Sequence, residues 1–182
     1  MPDSRYAPWI RRLHWLVFIL VACALALIYL HDWSPRGSAL KTDAKWAHMQ
    51  FGMAILLVML PRLLIRSRHL REPAIVPPSP RWQMVIAKSV HVALYLLLFA
   101  TPLLGIATMA WSGTPWNFLG LSLPSVAVPD RAFSHQLQGI HGTLGQILMY
   151  LAAAHAVLAL FHHFVQRDNT LRRMLPVLRG KR

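Results

Sequence analysis

Four apolar stretches dominate the chain, at about 9–30, 46–65, 82–111 and 139–165. Each meets the roughly 20 residues that a helix needs to cross about 30 Å of hydrocarbon. In that solvent a single stretch can satisfy all its backbone N–H and C=O groups only as an α-helix. The expected fold class is therefore all-α: an integral membrane four-helix bundle, with residues 1–182 forming one domain. All six acids, Asp3, Asp32, Asp43, Glu72, Asp130 and Asp168, lie outside the stretches or at their ends. Pro102 falls inside the third stretch, where a kink is expected. The connections 31–45, 67–81 and 112–138 carry Pro, Ser and Gly, and no fixed-period repeat links the four stretches.

Charge then orients the bundle. Residues of the set AVILMFWYC make up 55% of the chain and charged residues only 14%, yet the net charge is +13. On a soluble chain that excess would point to nucleic acid. Here fifteen of the 19 cations flank one end of the bundle, among them Arg5, Arg11, Arg12, Arg62, Arg66 and Lys88, and the tail from Arg167 to Arg182. Only Arg36, Lys41, Lys45 and Arg131 fall at the other end. The positive-inside rule places both termini in the cytoplasm and accounts for the charge without nucleic acid. The basic tail suits anionic headgroups of the bilayer. The single cysteine, Cys23, excludes an intramolecular disulfide and any Cys-based cluster. Ala24-Leu25-Ala26 has the look of a signal-peptidase site, and Leu20-Val21-Ala22-Cys23 that of a lipoprotein box. The apolar run continues past both to Leu30, so an uncleaved first span is expected.

The ten histidines carry the chemical information. His141 and His155 share the fourth span, 14 residues apart. Fourteen residues fall about 40° short of four turns and rise about 21 Å, so both rings share a face at two depths. His48 of the second span falls at the outer level and His14 of the first at the inner one. Each level thus has two imidazoles on different helices, His48 with His141 and His14 with His155. Such a pair, without carboxylate or thiolate, suits the two axial positions of a b-type haem. Zinc is the competing metal, but it asks for three or four ligands at one level. His91 of the third span shares the inner level and is the substitute ligand there. For each histidine taken alone, the simpler reading is a polar group bonded within the bundle, although ionisable groups inside membranes are costly and usually functional.

The surroundings extend this reading. Gly139, Gly142 and Gly145 around His141, alanines around His155, and Gly52 after His48 leave room for a flat macrocycle, or simply let helices approach closely. Arg62 lies 14 residues after His48, on nearly the same face at the inner level. It is a candidate to neutralise a propionate of the inner haem, with snorkelling to the interface as the alternative. His162, seven residues after His155, is a candidate hydrogen-bond donor to a quinone carbonyl, and His163 points elsewhere, towards headgroups. His31, His69 and His135 belong to connections or span edges.

Several stretches are specific enough to resemble a family. They are Leu13-His14-Trp15, His48-Met49-Gln50-Phe51-Gly52, Met59-Leu60-Pro61-Arg62-Leu63, Ala100-Thr101-Pro102-Leu103-Leu104-Gly105 and Ile140-His141-Gly142-Thr143-Leu144-Gly145. His155, His162-His163 and the tail from Asp168 to Pro176 complete the set, in order over nearly the whole chain. The chain resembles the bacterial cytochrome b561 family, small four-helix di-haem b proteins of the inner membrane. The resemblance implies bis-His ligation by His14, His48, His141 and His155, a multi-pass location in the bacterial inner membrane, and electron exchange with quinone, ubiquinone being the expected acceptor. Some members look like superoxide oxidases, which makes superoxide a candidate periplasmic donor. The outward cations Arg36, Lys41, Lys45 and Arg131 could steer such an anion, or merely solubilise loops. The competing functions are a cytochrome b anchor subunit of a hydrogenase or dehydrogenase complex, a haem-free zinc or nickel carrier, and a structural membrane protein.

Overall fold

The computed structural model describes residues 5–68 and 73–175. His69, Arg71 and the basic residues Arg179, Lys181 and Arg182 lie outside them. Four long helices follow one another: α1 (Pro8–Trp33), α2 (Ala39–Arg68), α3 (Arg81–Trp111) and α4 (Arg131–Phe161), the last continued by a π-helical turn at His162–Gln166. All four are long and apolar enough to cross a membrane. A two-stranded hairpin, β1 (Asn117–Phe118) and β2 (Leu121–Ser122), sits in the α3–α4 connection.

The helices outrun the apolar stretches because polar caps, and not hydropathy, terminate them. Pro8 occupies the first turn of α1, where its missing N–H costs nothing. At the other end of α1, Ser34 Oγ donates to Leu30 O and Lys41 Nζ donates to His31 O at 2.7 Å, satisfying terminal carbonyls. Ser38 Oγ accepts from Lys41 N at the start of α2, and Asp130 Oδ1 accepts from Phe133 N at the start of α4. The α1–α2 connection therefore shrinks to a tight turn, and α4 begins eight residues before its apolar stretch. Helix α3 runs unbroken through Pro102, as α2 does through Pro61.

Helix α1 packs chiefly on α2 and α3 chiefly on α4, with a lighter α2–α3 seam. Val17, Ala24, Ile55, Met59, Leu98 and Leu148 form the core, and Met59 is fully buried. Most other large apolar side chains face outward, as a lipid solvent requires. The backbone of α4 makes almost no close approach to α1 or α2 among the described residues. Side chains bridge the gap left there, and the histidines are among them.

The first and last described residues meet at one end of the bundle, the terminal end. The segment after α4 straps three parts of the chain together. Tyr6 N donates to Arg173 O, Arg11 to Leu175 O and Trp15 Nε1 to Met174 O. Asn169 exchanges hydrogen bonds with Val76 and donates to Ala74 O in the α2–α3 connection. At the opposite, hairpin end, buried Gln50 donates to Asn117 O and accepts from Leu119 N, fixing the hairpin on α2. Leu119 and Gly120 at the hairpin's tip both adopt left-handed φ angles, as a primed two-residue turn demands.

Candidate cofactor sites and their surroundings

At the hairpin end, α2 and α4 present His48 and His141 with ring centroids 6.1 Å apart and planes at 88°. At the terminal end, α1 and α4 present His14 and His155 at 6.3 Å and 76°. The two pairs are those that helical depth brings together in the sequence. A metal–imidazole bond of about 2 Å, with about 1.1 Å from ring nitrogen to centroid, puts two trans imidazoles about 6.2 Å apart. Both pairs therefore have the spacing that one shared metal ion requires. His91 on α3 does not: its ring lies 5.2 Å from that of His155, an edge-to-face contact too close for two trans ligands of one metal. Among the described residues no three His, Cys, Asp or Glu side chains gather as a metal site, so a zinc centre lacks its third ligand.

The hairpin-end pair is held by backbone carbonyls. His48 Nδ1 donates to Ala24 O and His141 Nδ1 donates to Thr101 O, both at 2.8 Å. A carbonyl can only accept, so Nδ1 carries the hydrogen on both rings and the lone pairs reside on Nε2. Ala24 is small and buried, which lets α1 come close enough to offer its carbonyl. Gly105 does the same for His141. A Cβ there would stand 3.1 Å from His141 Cε1 and 3.3 Å from Nδ1. The glycine that makes room for a ring is thus on α3. Of the glycines singled out in the sequence, Gly52 joins the site lining, while Gly139, Gly142 and Gly145 do not.

A cavity of about 540 Å³ opens beside this pair, with His48, Gly52, Pro102, Gly105 and His141 among its lining. Its size is that of a cofactor or small-molecule pocket. His31, Asp32, Lys45, Arg131 and His135 also line it. Two of the four outward cations thus reach the cavity. Lys41 does not: its ammonium is committed to the carbonyls of His31 and Ser34.

The terminal-end pair has different neighbours. Arg62 turns inward, its Nη2 3.1 Å from His14 Nδ1 and its guanidinium 5.4 Å over the Tyr95 ring centroid. A guanidinium only donates, so His14 Nδ1 is the acceptor and its hydrogen resides on Nε2. Ligation through Nε2 requires that hydrogen to move to Nδ1 and Arg62 to turn to another acceptor. The pair fits a metal by spacing, and by tautomer once Arg62 has turned.

His162 stands in the π-helical turn with a partner that spacing alone did not reveal. Its Nδ1 lies 2.6 Å from Asp168 Oδ2, and Asp168 is buried. Desolvation works against the charge on Asp168. Hydrogen bonds from His162 and from Thr170 N outweigh it and hold the carboxyl below its ordinary value. The turn closes through Asp168 N donating to His162 O, with Arg167 in a left-handed conformation. π-Helical turns of this sort are frequent at functional sites. His163 is half-buried against Phe164.

Four apolar helices that bring imidazoles together in pairs at two depths define a membrane protein with the donor set of a b-type cytochrome. The comparisons agree, and the chain belongs to the prokaryotic cytochrome b561 family, whose sequence model matches residues 5–177. It is 42% identical over 164 residues to cytochrome b561 homolog 1 of Escherichia coli (strain K12), covering 90% of this chain and 93% of the relative. It is 36% identical over 170 residues to the probable superoxide oxidase CybB of Yersinia pestis, covering 92% and 94%. Cytochrome b561 homolog 2 of Escherichia coli (strain K12) is similar at 28% over 180 residues, covering 94% and 92%. As a member of this family the protein is a multi-pass bacterial inner-membrane cytochrome that transfers electrons through b-type haem.

Proposed function

We propose that the protein binds two b-type haems and moves electrons from a periplasmic one-electron donor to membrane quinone. The observation that carries this reading is the ring spacing, 6.1 Å and 6.3 Å in two pairs on two levels of one bilayer. When bound, the haems supply reversible one-electron chemistry across the membrane. His48 and His141 hold the haem at the hairpin end, and His14 and His155 the one at the terminal end. With all four histidines engaged in this way, bound haems would serve electron transfer and would not bind oxygen. Arg62, already at the terminal-end pair, neutralises a propionate there.

The positive-inside bias puts the termini in the cytoplasm and the hairpin in the periplasm. Lys45 and Arg131 at the cavity then face the periplasm and attract a small anionic donor. The relative from Yersinia pestis is described as a probable superoxide oxidase, which makes superoxide the donor we favour. At the cytoplasmic end, Asp168 accepts from His162 Nδ1 and fixes the ring; in the imidazolium form its Nε2–H donates to the carbonyl oxygen of a ubiquinone. Two one-electron deliveries and two protons from the cytoplasmic surface convert that quinone to quinol.

The test is a reduced-minus-oxidised absorption spectrum of the detergent-purified protein with haem quantified per chain, followed by quinone reduction under a superoxide flux. Two b-type haems per chain and superoxide-dependent quinol formation are expected. One haem or none defeats the paired-ligand reading, and two haems without superoxide-dependent reduction defeat the donor.

A further inference from the structure

The two histidine pairs are built alike in spacing and unlike in what stands behind the rings. Behind His48 and His141 stand carbonyl oxygens, each accepting an Nδ1–H at 2.8 Å. A carbonyl drawing on that hydrogen shifts electron density to Nε2 and makes the imidazole a more basic ligand. Two such ligands on one iron favour its oxidised form.

Behind His14 stands a cation. The Arg62 guanidinium approaches the ring edge to 3.1 Å, steadied by Tyr95 from α3. Fixed positive charge disfavours adding further positive charge nearby, and a low-dielectric bundle screens this little. The reduced form of an iron at this pair is therefore favoured. Arg62 has the same sign of effect if it turns from His14 to a propionate, because it then cancels negative charge that would stabilise oxidised iron.

We propose that the two sites are made unequal by these neighbours: His48/His141 with its carbonyl acceptors is the low-potential site, and His14/His155 with Arg62 is the high-potential site. An electron delivered at the hairpin end then runs downhill to the terminal end. One site loses one electron, the other gains it, and no proton moves. The inference rests on the ligand pairs proposed above and adds a direction to them. Gly105 acts through His141 and is a positioning residue, whereas Arg62 acts by its charge.

The experiment is a potentiometric titration of the purified, haem-loaded protein, followed at the haem bands. The wild type should titrate in two steps. His48→Ala should retain only the higher-midpoint component. Arg62→Gln should shift the higher midpoint downward and leave the lower one in place, while Arg62→Lys, which keeps the charge, should restore most of it. Gly105→Ala places a methyl 3.1 Å from the His141 ring, pushes it off Thr101 O, and should shift the lower midpoint upward. Retention of the lower-midpoint component in His48→Ala overturns the assignment by itself, even if Arg62→Gln loses its haem. Midpoints that move together in Arg62→Gln, or not at all, overturn the role of Arg62. Fewer than two haems in the wild type is a different failure, that of the ligand pairs themselves.

Discussion

At the scale of single residues, ring spacing separates the proposed ligands from their neighbours. His91 and His155 are in contact at 5.2 Å, about 1 Å less than two trans ligands need. His91→Ala should therefore leave both haems in place, whereas His14→Ala and His48→Ala should each cost about one haem per chain. Haem quantified per chain checks this, and loss of a haem from His91→Ala would make His91 a ligand after all. The four histidines were legible in the sequence because helical geometry converts numbering into depth and face. Their supports were not. The acceptors are the backbone carbonyls of Ala24 and Thr101, which any residue type offers, and only the fold says which carbonyl meets which ring. Gly105 stood inside a stretch quoted for the family resemblance, yet nothing in its spacing tied it to a histidine 36 residues later. Arg62 was legible as lying at the inner level; that it turns inward to His14 and Tyr95 depends on how α1, α2 and α3 pack.

Among the elements, the segment after α4 shows the widest gap between pattern and role. In the sequence, Asp168 to Pro176 counts only as a stretch of the family resemblance and as part of a basic tail suited to headgroups. In the fold its described part ties α1, the α2–α3 connection and the end of α4 into one terminal end. Asp168 is the pivot, since its two oxygens accept from His162 and from Thr170 N. Hydrogen bonds to a charged group contribute about 1.5–3 kcal/mol, so Asp168→Ala should destabilise the protein by roughly that amount. The pH dependence has a definite sign. Asp168 sits below its reference value of 3.8, so its contribution is present above that pH and is lost as pH falls through the lower, folded-state value. Thermal unfolding in detergent should show a wild-type advantage over Asp168→Ala that is constant near neutrality and shrinks as pH drops below about 4. A gap independent of pH would mean that the side chain acts by packing alone. The helices themselves were legible, and their ends less so. Hydropathy marks where lipid stops, whereas Ser38, Lys41 and Asp130 mark where the helix does.

For the whole molecule, charge asymmetry and internal use of charge are superposed, and the fold separates them. Arg11 and Arg173 count towards the positive end, yet both are buried and bind the tail and Tyr6. Lys41 counts towards the opposite end and is spent on the C-terminus of α1. Removing these three, and Arg62 that turns to His14, leaves the bias intact: among the described residues Arg5, Arg12, Arg66, Arg68, Arg81, Lys88, Arg167 and Arg172 stand on one side against Arg36, Lys45 and Arg131 on the other. A bias that survives the loss of its structural members still predicts a cytoplasmic terminal end. Two exposed residues at opposite ends test it, Ser67 in the last turn of α2 and Ser125 beyond the hairpin. In a Cys23→Ser background, Ser125→Cys should react with a membrane-impermeant maleimide in intact spheroplasts. Ser67→Cys should react only after the membrane is opened. The reverse pattern would invert the bundle. The potential gradient from the carbonyl-backed pair to the Arg62-backed pair would then carry electrons outward, so the direction of flow across the membrane follows from this topology together with the two midpoints.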